Sequence, residues 1–149
     1  MTEGRQVSIL LVEDDLGHAR LIEKNLRRSG ISNQITAVTD GQQALDYLHG
    51  EGAYAGSGRA SPLLVLLDLN MPVLDGFEVL KRMKADEDTR RIPVIILTTT
   101  DDEREVSRCY DLGCNVYMTK PVDYAEFSEA IRKIGLFLSV VTIPNGEEV

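Results

Sequence analysis

Four short stretches of this sequence end in side chains that can do metal or phosphorus chemistry. Glu13, Asp14 and Asp15 follow the largely apolar run 7–12, and Asp68 follows Leu63 to Leu67. Thr98, Thr99 and Thr100 close the run that begins at Ile92, and Thr119, Lys120 and Pro121 follow Val116 to Met118. Carboxylates brought together repel one another and stay ionised only beside a cation. An all-oxygen set of two or three carboxylates, completed by carbonyls and waters, suits Mg²⁺. An aspartate in such a set is a competent nucleophile towards phosphorus. Phosphoryl transfer then needs little more than the metal and a fixed cation to neutralise charge on the transferred oxygens. Lys120 and Thr98 are of the right types for those contacts.

This chemistry requires the four tips to share one edge of a sheet. The apolar runs are short and continuous, which suits strands covered on both faces. A weaker run covers 34–38. Between the runs, apolar residues recur at helical spacing: Leu16, Ala19, Ile22 and Leu26; Ala44, Leu45 and Leu48; Phe77, Leu80 and Met83; Val106, Cys109 and Tyr110; and Phe127, Ala130, Ile131 and Ile134. Asp40, Asp75, the pair Asp101 and Asp102, and Asp123 stand where side-chain acceptors would cap helix N-termini, and Gly30 and Gly113 where helices would stop. Strand then helix, five times over, predicts an α/β fold: a doubly wound, five-stranded parallel sheet with helices on both faces. In such a sheet ligands bind beyond the carboxyl ends of the strands, where the strand order reverses. Those are the four tips.

Composition narrows the function classes. The chain has 149 residues, with 16 Lys and Arg against 24 Asp and Glu, a net charge of −8. That balance opposes general binding to nucleic acid, which depends on a basic surplus. The apolar runs are far shorter than the ~20 residues needed to cross a bilayer, and the first residues are not a signal peptide. No membrane association and a cytoplasmic location are therefore expected. Cys109 and Cys114 are spaced neither as a redox pair nor as a zinc site and read as small buried apolar residues. The domain is expected over 7–135, between an N-terminal tail, 1–6, and a C-terminal extension, 136–149, too short for an output domain.

Four segments together resemble the receiver domain of bacterial two-component response regulators. They are Ile9-Leu-Leu-Val-Glu-Asp-Asp15, Leu66-Leu-Asp-Leu-Asn-Met-Pro-Val-Leu-Asp-Gly76, Ile92-Pro-Val-Ile-Ile-Leu-Thr-Thr99 and Gly113-Cys-Asn-Val-Tyr-Met-Thr-Lys-Pro121. The resemblance implies a flavodoxin-like strand order 2-1-3-4-5. It implies Asp68 as phosphoacceptor and Mg²⁺, with Mn²⁺ as a substitute, held by Asp14, Asp68, the Asn70 carbonyl and, through water, Glu13. Thr98 and Tyr117 would be the switch pair and Lys120 the fixed cation, with Lys120–Pro121 a cis peptide. The partner would be a sensor histidine kinase. Phosphorylation would repack the face made by the fourth helix, fifth strand and fifth helix and so signal to a downstream protein. The chain would act as a phosphoprotein, not as an enzyme turning over a metabolite.

Further features resemble receivers that serve bacterial phytochromes: the long glycine-rich loop 50–62, the run Leu67-Asp-Leu-Asn-Met-Pro72 and the apolar tail reaching Ile143-Pro144. That group implies a homodimer through the fourth helix, fifth strand, fifth helix and C-terminal extension. Two other classes remain open. A metal-dependent phosphohydrolase would carry a second Asp two residues after the nucleophile, where this chain has Asn70. A phosphorylation-independent interaction module would have lost the acid pair, Thr98 or Lys120, all of which are present. His18 and His49 read as lone surface histidines, His18 being near the acidic pocket and so within reach of a partner. Arg20, Lys24, Arg27 and Arg28 form a basic helix face, either solvated or a docking surface for an acidic partner.

Overall fold

The computed structural model describes residues 7–60, 62–121 and 123–138. Five strands, β1 (Ser8–Val12), β2 (Ile35–Val38), β3 (Leu63–Leu67), β4 (Val94–Thr98) and β5 (Val116–Thr119), form one sheet. All pairings are parallel, in the order β2-β1-β3-β4-β5. The helices are α1 (Leu16–Arg28), α2 (Gly41–His49), α3 (Gly76–Ala85), α4 (Glu103–Leu112) and α5 (Tyr124–Leu138).

The burial pattern explains the sequence pattern. Every residue of the central strands β3 and β4 is buried, whereas β2 and β5 are the edges and are mostly half-buried. Edge position accounts for the weak signal at β2, since an edge strand loses cover on one side. Alternate residues of the inner strands feed two separate cores. Leu10, Val12, Val65 and Leu67 pack with α2, α3 and α4 through Leu48, Leu80, Met83 and Cys109. Ile9, Leu11, Leu64 and Leu66 pack with α1 and α5 through Ile22, Leu26, Phe127 and Ile131. Burying one such side chain contributes roughly 1.5–3 kcal/mol, so both helical layers are held mainly by this interdigitation.

Caps end the elements where local chemistry requires. Asp15, Asp40, Asp75 and Asp102 accept from backbone N–H groups of α1, α2, α3 and α4. Asp123 accepts from the N–H of Glu126 at the start of α5. Gly113, at φ 111°, closes α4, while α1 closes at Ser29, one residue before Gly30. α5 passes through Gly135 to Leu138, so the first residues of the expected C-terminal extension are helical. The rest of that extension, 139–149, and the expected tail, 1–6, lie outside the described residues.

The long loop is folded down over 50–60 rather than left free. A 3₁₀ turn (Gly52–Tyr54) places Tyr54 edge-on to Tyr47 of α2, with ring centroids 5.3 Å apart. The Arg59 guanidinium donates to the carbonyls of Leu48 at 2.9 Å and Asp88 at 2.7 Å. Of the basic residues on α1, Arg27 is committed locally: it donates to the carbonyls of Ile31 and Asn33 and fastens the turn into β2. The free cysteines Cys109 and Cys114 are both buried, and burial pushes the Cys109 thiol up to about 12.

Candidate functional site

The sheet order places the chain reversal between β1 and β3. Crossing from β1 to β2 goes one way, and β3, β4 and β5 extend the other way. Val12 and Leu67 are register partners, and the Asp68 N–H donates to the Val12 carbonyl at 3.1 Å. The next residues out, Glu13 and Asp68, therefore emerge side by side at the switch point. Thr98 pairs with Thr119, and the Lys120 N–H donates to the Thr98 carbonyl at 2.6 Å. This fixes Lys120 one step beyond the same edge.

One carboxylate oxygen each from Glu13, Asp14 and Asp68 lies within 4.8 Å of the others. Glu13 and Asp68 are buried and Asp14 is exposed, so the cluster opens to solvent on the Asp14 side. The buried Lys120 ammonium contacts Glu13 Oε1 at 2.5 Å and Asp68 Oδ2 at 3.2 Å. Three carboxylates against one ammonium leave two negative charges uncompensated when all are ionised, which is the charge of one divalent cation. Glu13 responds chiefly to its burial. Burial raises its carboxyl to about 7; Lys120 opposes the rise through its hydrogen bond and charge, and Asp68 adds to it.

Around the cluster, Asp15 is turned away from it. Its side chain caps α1, and its N–H donates to Glu13 Oε2 at 3.1 Å. The Asn70 N–H lies 3.3 Å from Asp68 Oδ1. Asp14, Asn70, Met71, Pro72 and Phe77 line an open groove of about 570 Å³ leading to the cluster. On its rim Val73 has φ 67°, at the centre of a three-residue turn closed by the Leu74 N–H on the Pro72 carbonyl at 2.7 Å. A β-branched residue is strained there.

Thr98 is fully buried, and its Oγ1 is without a hydrogen-bond partner. A buried hydroxyl left so is costly unless an acceptor or donor comes to it. Tyr117 lies further along β5. Its hydroxyl donates to the Thr100 carbonyl at 2.7 Å, and its N–H donates to the Tyr110 hydroxyl at 3.1 Å. Burial is the first cause that raises the Tyr117 phenol to about 12.

The structure thus brings Glu13, Asp14, Asp68 and Lys120 into one cluster, with Asn70 at its mouth. It also adds His18, which the sequence places as a surface histidine near the acidic pocket. His18 Nδ1 is 3.1 Å from Lys120 Nζ. Its place one turn into α1, three residues beyond the cap Asp15, is what puts it near the pocket; the contact with Lys120 has no signal in the sequence. His49 instead lies 3.8 Å from Asp86, remote in sequence from every residue of the cluster.

Residues 9–132 match the model of the response regulator receiver domain, and the chain belongs to that family. It is 40% identical to the response regulator Rcp1 of Synechocystis over 137 residues, 91% of this chain and 92% of Rcp1. The Mn²⁺-bound form of Rcp1 superposes with a TM-score of 0.86 over 93% of this chain and 99% of that one, at 39% identity. The phosphorylated cyanobacterial phytochrome response regulator RcpA gives a TM-score of 0.87 at 39% identity, covering 95% of this chain and 100% of RcpA. A receiver domain from Rhodospirillum rubrum is 58% identical, with a TM-score of 0.85 over 93% of this chain and 98% of its own. The chain is therefore a receiver-type signalling protein related to phytochrome response regulators. Among the described residues no helix is long and apolar enough to cross a membrane.

Proposed function

We propose that Asp68 accepts a phosphoryl group from the phosphohistidine of a sensor histidine kinase, and that the modified site drives a conformational switch. The observation that carries this reading is the buried, unpartnered Oγ1 of Thr98 at the end of β4, on the sheet edge where Lys120 contacts Asp68. A hydroxyl donor and an ammonium donor at that edge fit a tetrahedral anion better than they fit a bare carboxylate.

In this reading an Asp68 carboxylate oxygen attacks phosphorus. The O–P bond forms as the P–N bond to the donor imidazole breaks, and the departing nitrogen keeps the electron pair and takes up a proton. Lys120 and Thr98 then hydrogen-bond phosphoryl oxygens. The carboxylates of Glu13, Asp14 and Asp68 with the Asn70 carbonyl would hold Mg²⁺, or Mn²⁺ in its place, which supplies charge neutralisation on the transferred oxygens. The new group brings about −1.5 to −2 of charge. Movement of Thr98 towards it opens space beside Tyr117, and the face of α4, β5 and α5 repacks. The cis geometry of Lys120–Pro121 belongs to the same proposal. Attack of water on phosphorus later breaks the O–P bond, releases phosphate and restores the carboxylate.

The test is incubation with labelled acetyl phosphate and Mg²⁺. A stable label on the wild type that is lost in Asp68→Asn is the expected result. Continuous phosphate release without a stable label would point to a phosphohydrolase, and a folded but unlabelled chain to an interaction module.

The partner we propose is a bacteriophytochrome-type kinase in the cytoplasm, supported by likeness to Rcp1 and RcpA. We further propose a homodimer through α4, β5, α5 and the extension 136–149. Support comes from Tyr110 on α4 and Leu136 on α5, both 48% exposed, and from the apolar composition of 136–143. A full chain with twice the molar mass in solution of a chain ending at Gly135 is expected. Equal masses would remove the extension from the interface.

A further inference from the structure

We infer that His18 is a positioning residue for Lys120: its neutral imidazole accepts, at Nδ1, the third hydrogen bond of the ammonium that faces Asp68. An ammonium has three N–H donors and no lone pair. Three atoms stand around Lys120 Nζ: Glu13 Oε1 at 2.5 Å, Asp68 Oδ2 at 3.2 Å and His18 Nδ1 at 3.1 Å. Since Nζ can only donate, Nδ1 must accept, and the ring proton must sit on Nε2. The same Nδ1 is 3.8 Å from Asp15 Oδ2, beyond hydrogen-bond range, so the shorter contact assigns the tautomer.

The ring is held where this requires. The His18 N–H donates to Asp15 Oδ1 at 3.0 Å, which fixes the first turn of α1. Phe127 of α5 receives the imidazole edge-on, with centroids 5.5 Å apart and the planes at 77°. One side chain of α1 therefore rests on α5 and reaches the end of β5. The site already carries an excess of carboxylates, so the chemical type of the third acceptor matters. A further carboxylate there would deepen the excess and compete with an incoming phosphoryl group for the ammonium. A neutral nitrogen orients Lys120 towards Asp68 without adding charge.

The consequence for phosphorylation rests on the reading of Asp68 as phosphoacceptor; the tautomer does not. Nitrogen-15 NMR of the full chain at neutral pH should show His18 protonated at Nε2, with an Nδ1 resonance that shifts in Lys120→Met. An Nδ1-protonated ring, or an Nδ1 resonance unmoved by Lys120→Met, overturns the inference. His18→Phe keeps a ring against Phe127 but removes the acceptor. It should slow acetyl phosphate labelling about three- to tenfold, the scale expected of a displaced positioning group, in a chain that circular dichroism shows to be still folded at the assay temperature. His18→Gln, which restores an acceptor, should recover at least half of the loss. Wild-type labelling in His18→Phe, or equal losses in the Phe and Gln variants, also overturns it. Label that persists in Asp68→Asn would instead sink the phosphoacceptor reading and leave the NMR result standing.

Discussion

A single phenol shows how burial sets chemistry in this molecule. Tyr117 is half-buried between β5 and the loop after β4, and its hydroxyl donates to the Thr100 carbonyl at 2.7 Å. Burial would leave the phenolate in a desolvated position, and Cys109, Glu105 and Asp101 nearby add to the cost of a negative charge there, so the phenol is raised from 10.0 to about 12. The sign of the linkage follows. The folded state prefers the protonated form, so this contribution is fully present below the ordinary tyrosine value and is lost as pH rises from about 10 towards about 12. Unfolding free energies of the wild type and Tyr117→Phe, measured at about pH 9 and about pH 11, should converge as pH rises. A difference that stays constant with pH would mean that the phenol titrates alike in the folded and unfolded chains.

At the scale of elements, helix starts rather than helix bodies position the site. Gly76, the first residue of α3, lies directly against the backbone of Asp68. A Cβ there would stand 2.3 Å from the Asp68 carbonyl oxygen and 2.7 Å from Leu69 Cα. Gly41, the first residue of α2, meets the Leu74 carbonyl in the same way, at 2.0 Å. Backbone cannot yield as a flexible side chain does, so Gly76→Ala should destabilise the fold by about 1–3 kcal/mol and reduce labelling of Asp68. Gly58→Ala, at a position with open space and no positive φ, is the control and should do neither. Urea unfolding decides it: wild-type stability in Gly76→Ala would show that α3 can shift without cost. Local chemistry was legible in the sequence here. The caps Asp40, Asp75 and Asp102 were each followed by helical apolar spacing, and the inner strands were continuous apolar runs. The glycine contacts were not legible, because they join elements whose separation only the packed sheet defines. The same holds for His18 and Lys120, 102 residues apart in the chain, and for Arg59 on Asp88.

Over the whole molecule, charge is the property that composition announced and the fold reorganised. A net charge of −8 is a general self-repulsion, and added salt should relieve it modestly in any variant. The cluster of Glu13, Asp14 and Asp68 is a local part of that excess with a defined geometry, and a divalent ion should relieve it specifically. A ligand that binds only the folded state stabilises it by about 2.7 kcal/mol at a hundred times its dissociation constant. For a domain of this size that is a rise in melting temperature of about 5–10 °C. Asp14→Asn separates the two effects, because Asp14 is the exposed member of the cluster, whereas Glu13 and Asp68 are the carboxylates paired with Lys120. Its melting temperature without divalent ions should equal or exceed that of the wild type, since one repelling charge is gone. Its response to Mg²⁺ should shrink to what Na⁺ at equal ionic strength produces. An Asp14→Asn chain that Mg²⁺ stabilises as strongly as the wild type would place the ion elsewhere on this acidic surface.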